Sequence, residues 1–211
     1  VRLAECLAVY LRWRRSFDDW ITVARAAREA AHRAGNRLGE GDAWTNLGNA
    51  LREAGRVGEA VDAHTRARDL HRAAGDRQRE GIAWTCLGIA LEKAGRVGEA
   101  VDAHTRARDL HQAAGDRHHE GIAWTCLGIA LEKAGPAEEA IEAYGKALEI
   151  FREFEDWYRA GRTLRNLASA HESAGRPSDA RACWLQAADA FTHANAPDRA
   201  TQARTRAEDQ E

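Results

Sequence analysis

The feature that most constrains this chain is a gapless repeat of forty residues. Gly81 to Gly95 reads GIAWTCLGIALEKAG, and Gly121 to Gly135 reads the same fifteen residues again. The block 41–80 differs from the block 81–120 at only eight positions. Carried outward without insertion or deletion, the frame gives five units: 1–40, 41–80, 81–120, 121–160 and 161–200. A unit of this size cannot bury its apolar faces alone and must stack on its neighbours, which is the condition of a solenoid. Residues 1–211 are therefore expected to form a single all-α domain, with function carried by exposed surfaces instead of a deep active site.

Each unit divides into two amphipathic helices. In 81–120, Trp84, Leu87, Gly88, Leu91 and Ala94 recur at three- and four-residue spacing and make one apolar stripe. Gly95 stops that helix, because glycine takes the left-handed conformation past a helix end without steric cost. Ala100, Ala103, Ala107, Leu110 and Ala114 make the second stripe, Gly115 ends it, and Asp116 is placed to cap the following helix. Gly88, Ala100 and Ala107 allow close approach, while Trp84, Leu87 and Leu91 fill the remaining volume at roughly 1.5–3 kcal/mol for each buried side chain. Pro136 and Pro177 mark entries of second helices, where proline is tolerated. Asp62–Arg66 and Asp102–Arg106, spaced i,i+4, read as a solvated outer face. The polar stretch 197–211 reads as one short capping helix.

Composition removes several function classes. Net charge is −2 with both signs interspersed, so no broad basic field is available to recruit nucleic acid. No apolar run approaches the roughly 20 residues that span a bilayer, and no signal-peptide pattern opens the chain. Four cysteines, Cys6, Cys86, Cys126 and Cys183, match neither a disulfide framework nor a CxxC metal site, which points to a reducing, cytoplasmic setting. The chain has no methionine and enters its first repeat at Val1, the pattern expected of the C-terminal piece of a longer protein. No Ser/His/Asp set, paired carboxylates or HExxH stretch is present, so no catalytic, cofactor or metal residue is assigned and a non-enzyme is expected.

The quoted positions resemble the tetratricopeptide repeat family. Trp84, Leu87, Gly88 and Leu91 match its first-helix pattern, and Ala100, His104 and Ala107 its second. The resemblance implies a right-handed superhelical α-solenoid of five helix-turn-helix repeats plus the capping helix, and a role in protein interaction. The usual family repeat has 34 residues, so six extra are expected in a longer second helix and its exit turn. Forty-residue repeats with an Asn46-Leu47-Gly48-Asn49 stretch and a Gly75-Asp76 ending are similar to those of spindle-orientation adaptors. Ala4 and Leu164 stand in the Trp position, and Ala8 and Ala168 in the Gly position. The ends, LAVYLRWRRSFDDWITVARAAREAAHRAGN and GRPSDARACWLQAADAFTHANAP, resemble the C-terminal repeat region of actinobacterial NB-ARC (STAND-type) regulators. That likeness implies a nucleotide switch upstream, since no GxxxxGK[ST] segment occurs here.

Nine histidines invite a metal reading, but the repeat frame favours another. His64 and His104 share a column with Tyr144 and Trp184, and His71 and His111 share one with Phe151 and Phe191. Both columns want a planar ring, so these histidines are expected to be ring fillers. If buried and neutral, they should weaken the central units on protonation. His118 and His119 are expected in solvent at a turn. Cys6, Cys86 and Cys126 share one column on successive first helices, too far apart for easy disulfide geometry.

A second stripe runs beside the core stripe: Ile82, Cys86, Ile89 and Lys93 in the third unit, and Ile122, Cys126, Ile129 and Lys133 in the fourth. In tetratricopeptide solenoids the equivalent positions line the concave groove. The second unit supplies Asp42, Thr45, Asn46, Asn49 and Arg52 there, and the fifth supplies Arg162, Arg165, Asn166 and Ser169. Such a groove, apolar at its middle and polar toward its ends, suits a protein or peptide partner. Two other readings of the stripe stay open: inter-repeat core, and a surface for self-association.

Overall fold

The computed structural model describes residues 2–210, with side chains from residue 6 onward. The side chain of Ala4 and the two terminal residues lie outside that set. The described residues form eleven helices: α1 (Arg2–Trp13), α2 (Phe17–Arg33), α3 (Arg37–Glu53), α4 (Val57–Ala73), α5 (Arg77–Lys93), α6 (Val97–Ala113), α7 (Arg117–Ala134), α8 (Ala137–Glu153), α9 (Trp157–Ser173), α10 (Pro177–His193) and α11 (Pro197–Glu208). They group into two compact units, 1–115 with α1–α6 and 116–211 with α7–α11. Within each unit every helix packs on the next in chain order, and α3 also touches α5, as α7 touches α9. This is the all-α helix-turn-helix arrangement of a tetratricopeptide solenoid.

Helix ends follow the repeat. Asn36, Asp76, Asp116 and Asp156 cap α3, α5, α7 and α9, each accepting the backbone N–H three residues on at 2.9–3.2 Å. Proline opens α10 and α11 at a first-turn position where its missing N–H is harmless. The extra residues are not gathered in the second helices: α3, α4, α5 and α6 are all 17 residues long. Expected stripe members Ala94 and Ala114 are C-caps and lie exposed, while Ala83 and Ala90 are fully buried in their place.

Glycines at positive φ, such as Gly75 and Gly95, make the sharp exits. Glu155 makes the same turn at φ +52, where its Cβ crowds the backbone. Glu155→Gly should therefore raise stability by about 0.5–1 kcal/mol, read from urea melts. An unchanged midpoint would show that the turn carries no strain.

The core is built from rings laid on glycines. A Cβ on Gly48 would sit 2.5 Å from the His64 ring, one on Gly128 2.5 Å from Tyr144, one on Gly41 2.6 Å from His71, and one on Gly81 2.7 Å from His111. His64, His104, His71 and His111 are at most 1% exposed, so the ring-filler expectation holds, with burial complete. Where the first helix carries alanine in place of glycine, the partner changes. Ala8 belongs to the block whose ring columns hold Ala24 and Ala31, both buried, while Ala168 belongs to the block with Trp184.

The ring column also has a polar partner twelve residues upstream. His104 Nε2 lies 3.0 Å from Glu92 Oε1, Tyr144 donates its hydroxyl to Glu132 at 2.9 Å, and Trp184 donates its indole N–H to Glu172 at 2.8 Å. In α3 the corresponding residue is Arg52, and both ring nitrogens of His64 are left without a partner. Burial, and secondarily the Arg52 charge, push the His64 pKa down to about 3.

Candidate functional site

In the first unit, α3 and α5 bring the expected stripe to one hollow of about 400 Å³, lined by Asp42, Thr45, Asn46, Asn49 and Ile82 together with Ala8, His71 and Arg79. Its polar groups are partly committed. Asp42 pairs with Arg79 at 3.2 Å, Asn46 accepts the Trp20 indole N–H at 2.9 Å, and Thr45 donates to the Gly41 carbonyl of its own helix. Arg52 donates to Glu53 at 3.0 Å and lies beside this set instead of in the hollow. Asn49 is half-buried, lines the hollow and has no hydrogen-bond partner among the described residues, so its amide offers the hollow a donor and an acceptor. Farther along α5, Cys86 and Ile89 are half-buried and Lys93 is exposed. Burial pushes the Cys86 thiol up to about 11, so it serves as a small apolar filler, not a nucleophile.

In the second unit, α7 and α9 place Ile122, Cys126, Ile129, Arg162 and Asn166 around a smaller hollow of about 90 Å³, with Phe151 and Thr163 in its wall and Arg159 at its rim. Thr125 and Thr163 hydroxyls meet at 3.2 Å and tie the two helices beneath it. Ser169 donates to Glu132 at 3.0 Å, and Lys133 is exposed at the end of α7. Arg165 turns to a neighbouring hollow walled by Trp184, Phe191, Arg199 and Arg206. The half-exposed Ile82, Ile122 and Ile129 thus flank surface hollows and Ile89 is half-exposed beside them on α5, while Leu87, Leu91, Leu127 and Leu131 carry the buried stripe.

Sequence reasoning missed a column of residues. Arg79, Arg159 and Arg199 stand one helical turn before the positions of Asp42 and Arg162, and all three line hollows. The i,i+3 spacing was the available signal. It also missed the outer hollows. Trp84 is half-buried and not a core filler; Arg68 stacks over it at 4.7 Å, above a hollow of about 670 Å³ that Asp102 and Arg106 help to line. Arg28 over Trp44 at 5.0 Å repeats the arrangement, with Asp62 and Arg66 in the wall. These four charged residues are exposed, as expected of an outer face.

His118 and His119 are not free in solvent. His118 Nε2 lies 3.1 Å from Asp156 Oδ2, and His119 Nδ1 lies 2.9 Å from Asp116 Oδ2. Among the described residues no group of three His, Cys, Asp or Glu side chains is arranged to hold a metal ion. The four cysteines are free thiols. No described helix is long and apolar enough to cross a membrane.

Comparison with known proteins agrees with this geometry. The chain is similar in fold to a putative kinesin light chain with nearly identical TPR-like repeats from Podosopora anserina, at 15% identity and a TM-score of 0.78, over 92% of this chain and 95% of that one. It is similar to a Rap protein complexed with competence and sporulation factor, at 13% identity and TM-score 0.79, over 93% of this chain and 55% of that one. It is also similar to the STAND signal-transduction ATPase with a tetratricopeptide repeat sensor from Pyrococcus horikoshii, at 13% identity and TM-score 0.74. That match takes in 98% of this chain but only 36% of the ATPase. At such identities the likeness is one of fold. No curated protein matches the sequence. Two tetratricopeptide repeat profiles match residues 43–78 and 121–193, together just over half of the chain. The chain belongs to the tetratricopeptide repeat family.

Proposed function

We propose that the chain is a non-catalytic binding module that receives a protein or peptide segment on the first-helix faces of its two units. The observation that carries this reading is the pairing of half-exposed isoleucines with uncommitted polar groups around the hollows: Ile82 with Asn49, and Ile122 and Ile129 with Arg162. Half-exposed apolar side chains beside free amide and guanidinium donors offer a peptide both a place for a side chain and partners for its backbone or charges. The structural neighbour solved with competence and sporulation factor lends the same fold to a binding role. The same proposal takes the chain to work in a reducing, cytoplasmic setting, a reading supported by its free cysteines.

The test is capture from a cell lysate by the full chain and by a variant carrying Ile82→Asp, Ile89→Asp, Ile122→Asp and Ile129→Asp, after circular dichroism has shown the variant to be folded. We expect the variant to lose the partner. Equal capture would move binding to the outer hollows, and a variant that does not fold would make the stripe core.

A second reading, the sensor arm of a STAND-type ATPase, is favoured by the likeness to the Pyrococcus horikoshii protein, whose repeats are a sensor. An upstream reading frame with GxxxxGK[ST] would support it. The exposed Val9, Tyr10 and Trp13 of α1 favour a self-associating role, readable from sedimentation of the full chain.

A further inference from the structure

The ring twelve residues after the end of each first helix meets a carboxylate in three hairpins and a guanidinium in one. Glu92, Glu132 and Glu172 answer His104, Tyr144 and Trp184 at 2.8–3.0 Å. Arg52 holds the same position in the α3–α4 hairpin, whose ring is His64. The backbone brings these two together. The His64 ring lies on Gly48, where a Cβ would be 2.5 Å away, and Arg52 follows Gly48 by four residues on the same face of α3. Arg12 shares the Arg52 column, but it is exposed, and its hairpin has Ala24 where the others have a ring. Among the described hairpins, only α3–α4 sets an arginine against a ring.

The His64 side chain is fully buried, and neither Nδ1 nor Nε2 has a hydrogen-bond partner among the described residues. Arg52 Nε is also buried and unpartnered, while the other edge of the guanidinium donates to Glu53 at 3.0 Å. Burial, then the Arg52 charge, keep the ring neutral, so it carries one N–H donor and one lone pair. Two donors are thus buried in one slot, and each costs its desolvation until an acceptor meets it. The Cys86 thiol, within reach of the Arg52 charge, is pushed up to about 11 by burial and supplies no counter-charge.

We infer that the slot between Arg52 and His64 binds a small monovalent anion, of the size of chloride or formate, where the other hairpins place a side-chain carboxylate. The anion accepts from Arg52 Nε–H and from one ring N–H of His64, and a charge-assisted bond from the guanidinium is the stronger of the two. A tetrahedral dianion is too large for a position that elsewhere admits one carboxylate in a close-packed hairpin. Neither Arg52 nor His64 lines the hollows described above, so the site is separate from the faces proposed to receive a peptide.

The test is urea denaturation of the full chain near neutral pH, with sodium chloride exchanged for sodium isethionate at constant ionic strength. An anion that binds only the folded state raises the folding constant, by about tenfold when it is present at about ten times its dissociation constant. We expect a rise of that size in about 0.2 M chloride, and the same in formate. The gain should disappear in Arg52→Glu, which brings its own carboxylate, and in His64→Phe, which keeps a ring without donors. It should persist in Arg56→Gln, because Arg56 is a surface residue paired with Glu59. Arg52→Gln replaces Arg52→Glu if that variant does not fold, and it too should lose the gain. Equal stability of the native chain in chloride and isethionate would overturn the site. A gain of native size in the Arg52 variant would mark a general salt effect and overturn it as well. A gain retained in His64→Phe would overturn the two-donor assignment.

Discussion

Replacing Tyr144 with alanine is expected to destabilise the second unit by about 3–5 kcal/mol, the range for deleting a large buried ring. Tyr144 is fully buried, its ring lies where a Cβ on Gly128 would fall, and its hydroxyl donates to Glu132. No neighbour can collapse into the space, because the facing residue is a glycine with no side chain to move. Tyr144→Phe keeps the ring and removes only the hydrogen bond. Since Glu132 retains Ser169 as a donor, that variant should lose about 1 kcal/mol. Gly128→Ala approaches the same contact from the other side and should cost about 1–3 kcal/mol by overpacking. Urea denaturation followed by circular dichroism measures all three, and the second unit can unfold ahead of the first. A Tyr144→Ala loss below about 1 kcal/mol would mean that the ring does not bridge α7 and α8 as described.

Acidification is expected to have the second large effect, and in the first unit. His64 takes up its proton near pH 6.5 when the chain is unfolded but only at about 3 when folded, because burial and Arg52 both oppose the charge. Above pH 6.5 both states are neutral and the contribution is complete. As pH falls from 6.5 toward 3, the unfolded chain binds the proton first, and the folding constant drops by up to about tenfold per pH unit. His71 is shifted the same way, chiefly by burial, with Asp42 and Asp76 partly opposing the shift. Carboxylates held below their usual range, such as Asp76 and Asp156, lose their contribution only below about pH 4, so the interval from pH 7.5 to 5 isolates the histidines. Denaturation at those two values should show a marked loss for the native chain and a smaller one for His64→Phe. Equal losses would place the pH sensitivity elsewhere. Arg52→Glu should also reduce the loss, by supplying the carboxylate that faces His104, Tyr144 and Trp184 in the other hairpins.

The ring columns were legible in the sequence because a column is a comparison between repeats: Tyr144 and Phe151 identify what His64 and His71 replace. Helix stops and caps were legible for the same reason, as Gly75-Asp76 and Gly115-Asp116 recur at a fixed distance. The carboxylate that answers each ring was not. Glu92 and His104 lie on different helices, and nothing in either helix's own periodicity links positions twelve apart across a turn. The Trp column was misjudged because a large apolar residue at a core spacing looks buried, whereas Arg68 and Arg72 cover Trp84 from outside. In the candidate site, the isoleucine stripe was visible as a second periodicity. Arg199 was not, since its place at a hollow depends on α11 standing where another first helix would stand and on Tyr158 and Phe191 receiving its guanidinium.

The glycine–ring contacts have a consequence for how such a chain changes length. Gly81 meets His111, Gly88 meets His104, and Glu92 meets His104, all within one block of forty residues. The joint between blocks is made of other residues, and it repeats almost unchanged, with Arg28 over Trp44 and Arg68 over Trp84. A block therefore carries both halves of its internal fit and presents nearly the same two ends to whatever adjoins it. An in-frame crossover between the near-identical stretches would add or remove a complete hairpin without orphaning a ring or opening a gap. The number of hairpins is then free to drift while packing stays constant, and the residues that distinguish one block from another, Asn49 against Ile89 or Arg52 against Glu92, can diverge on a scaffold that does not depend on them for its count.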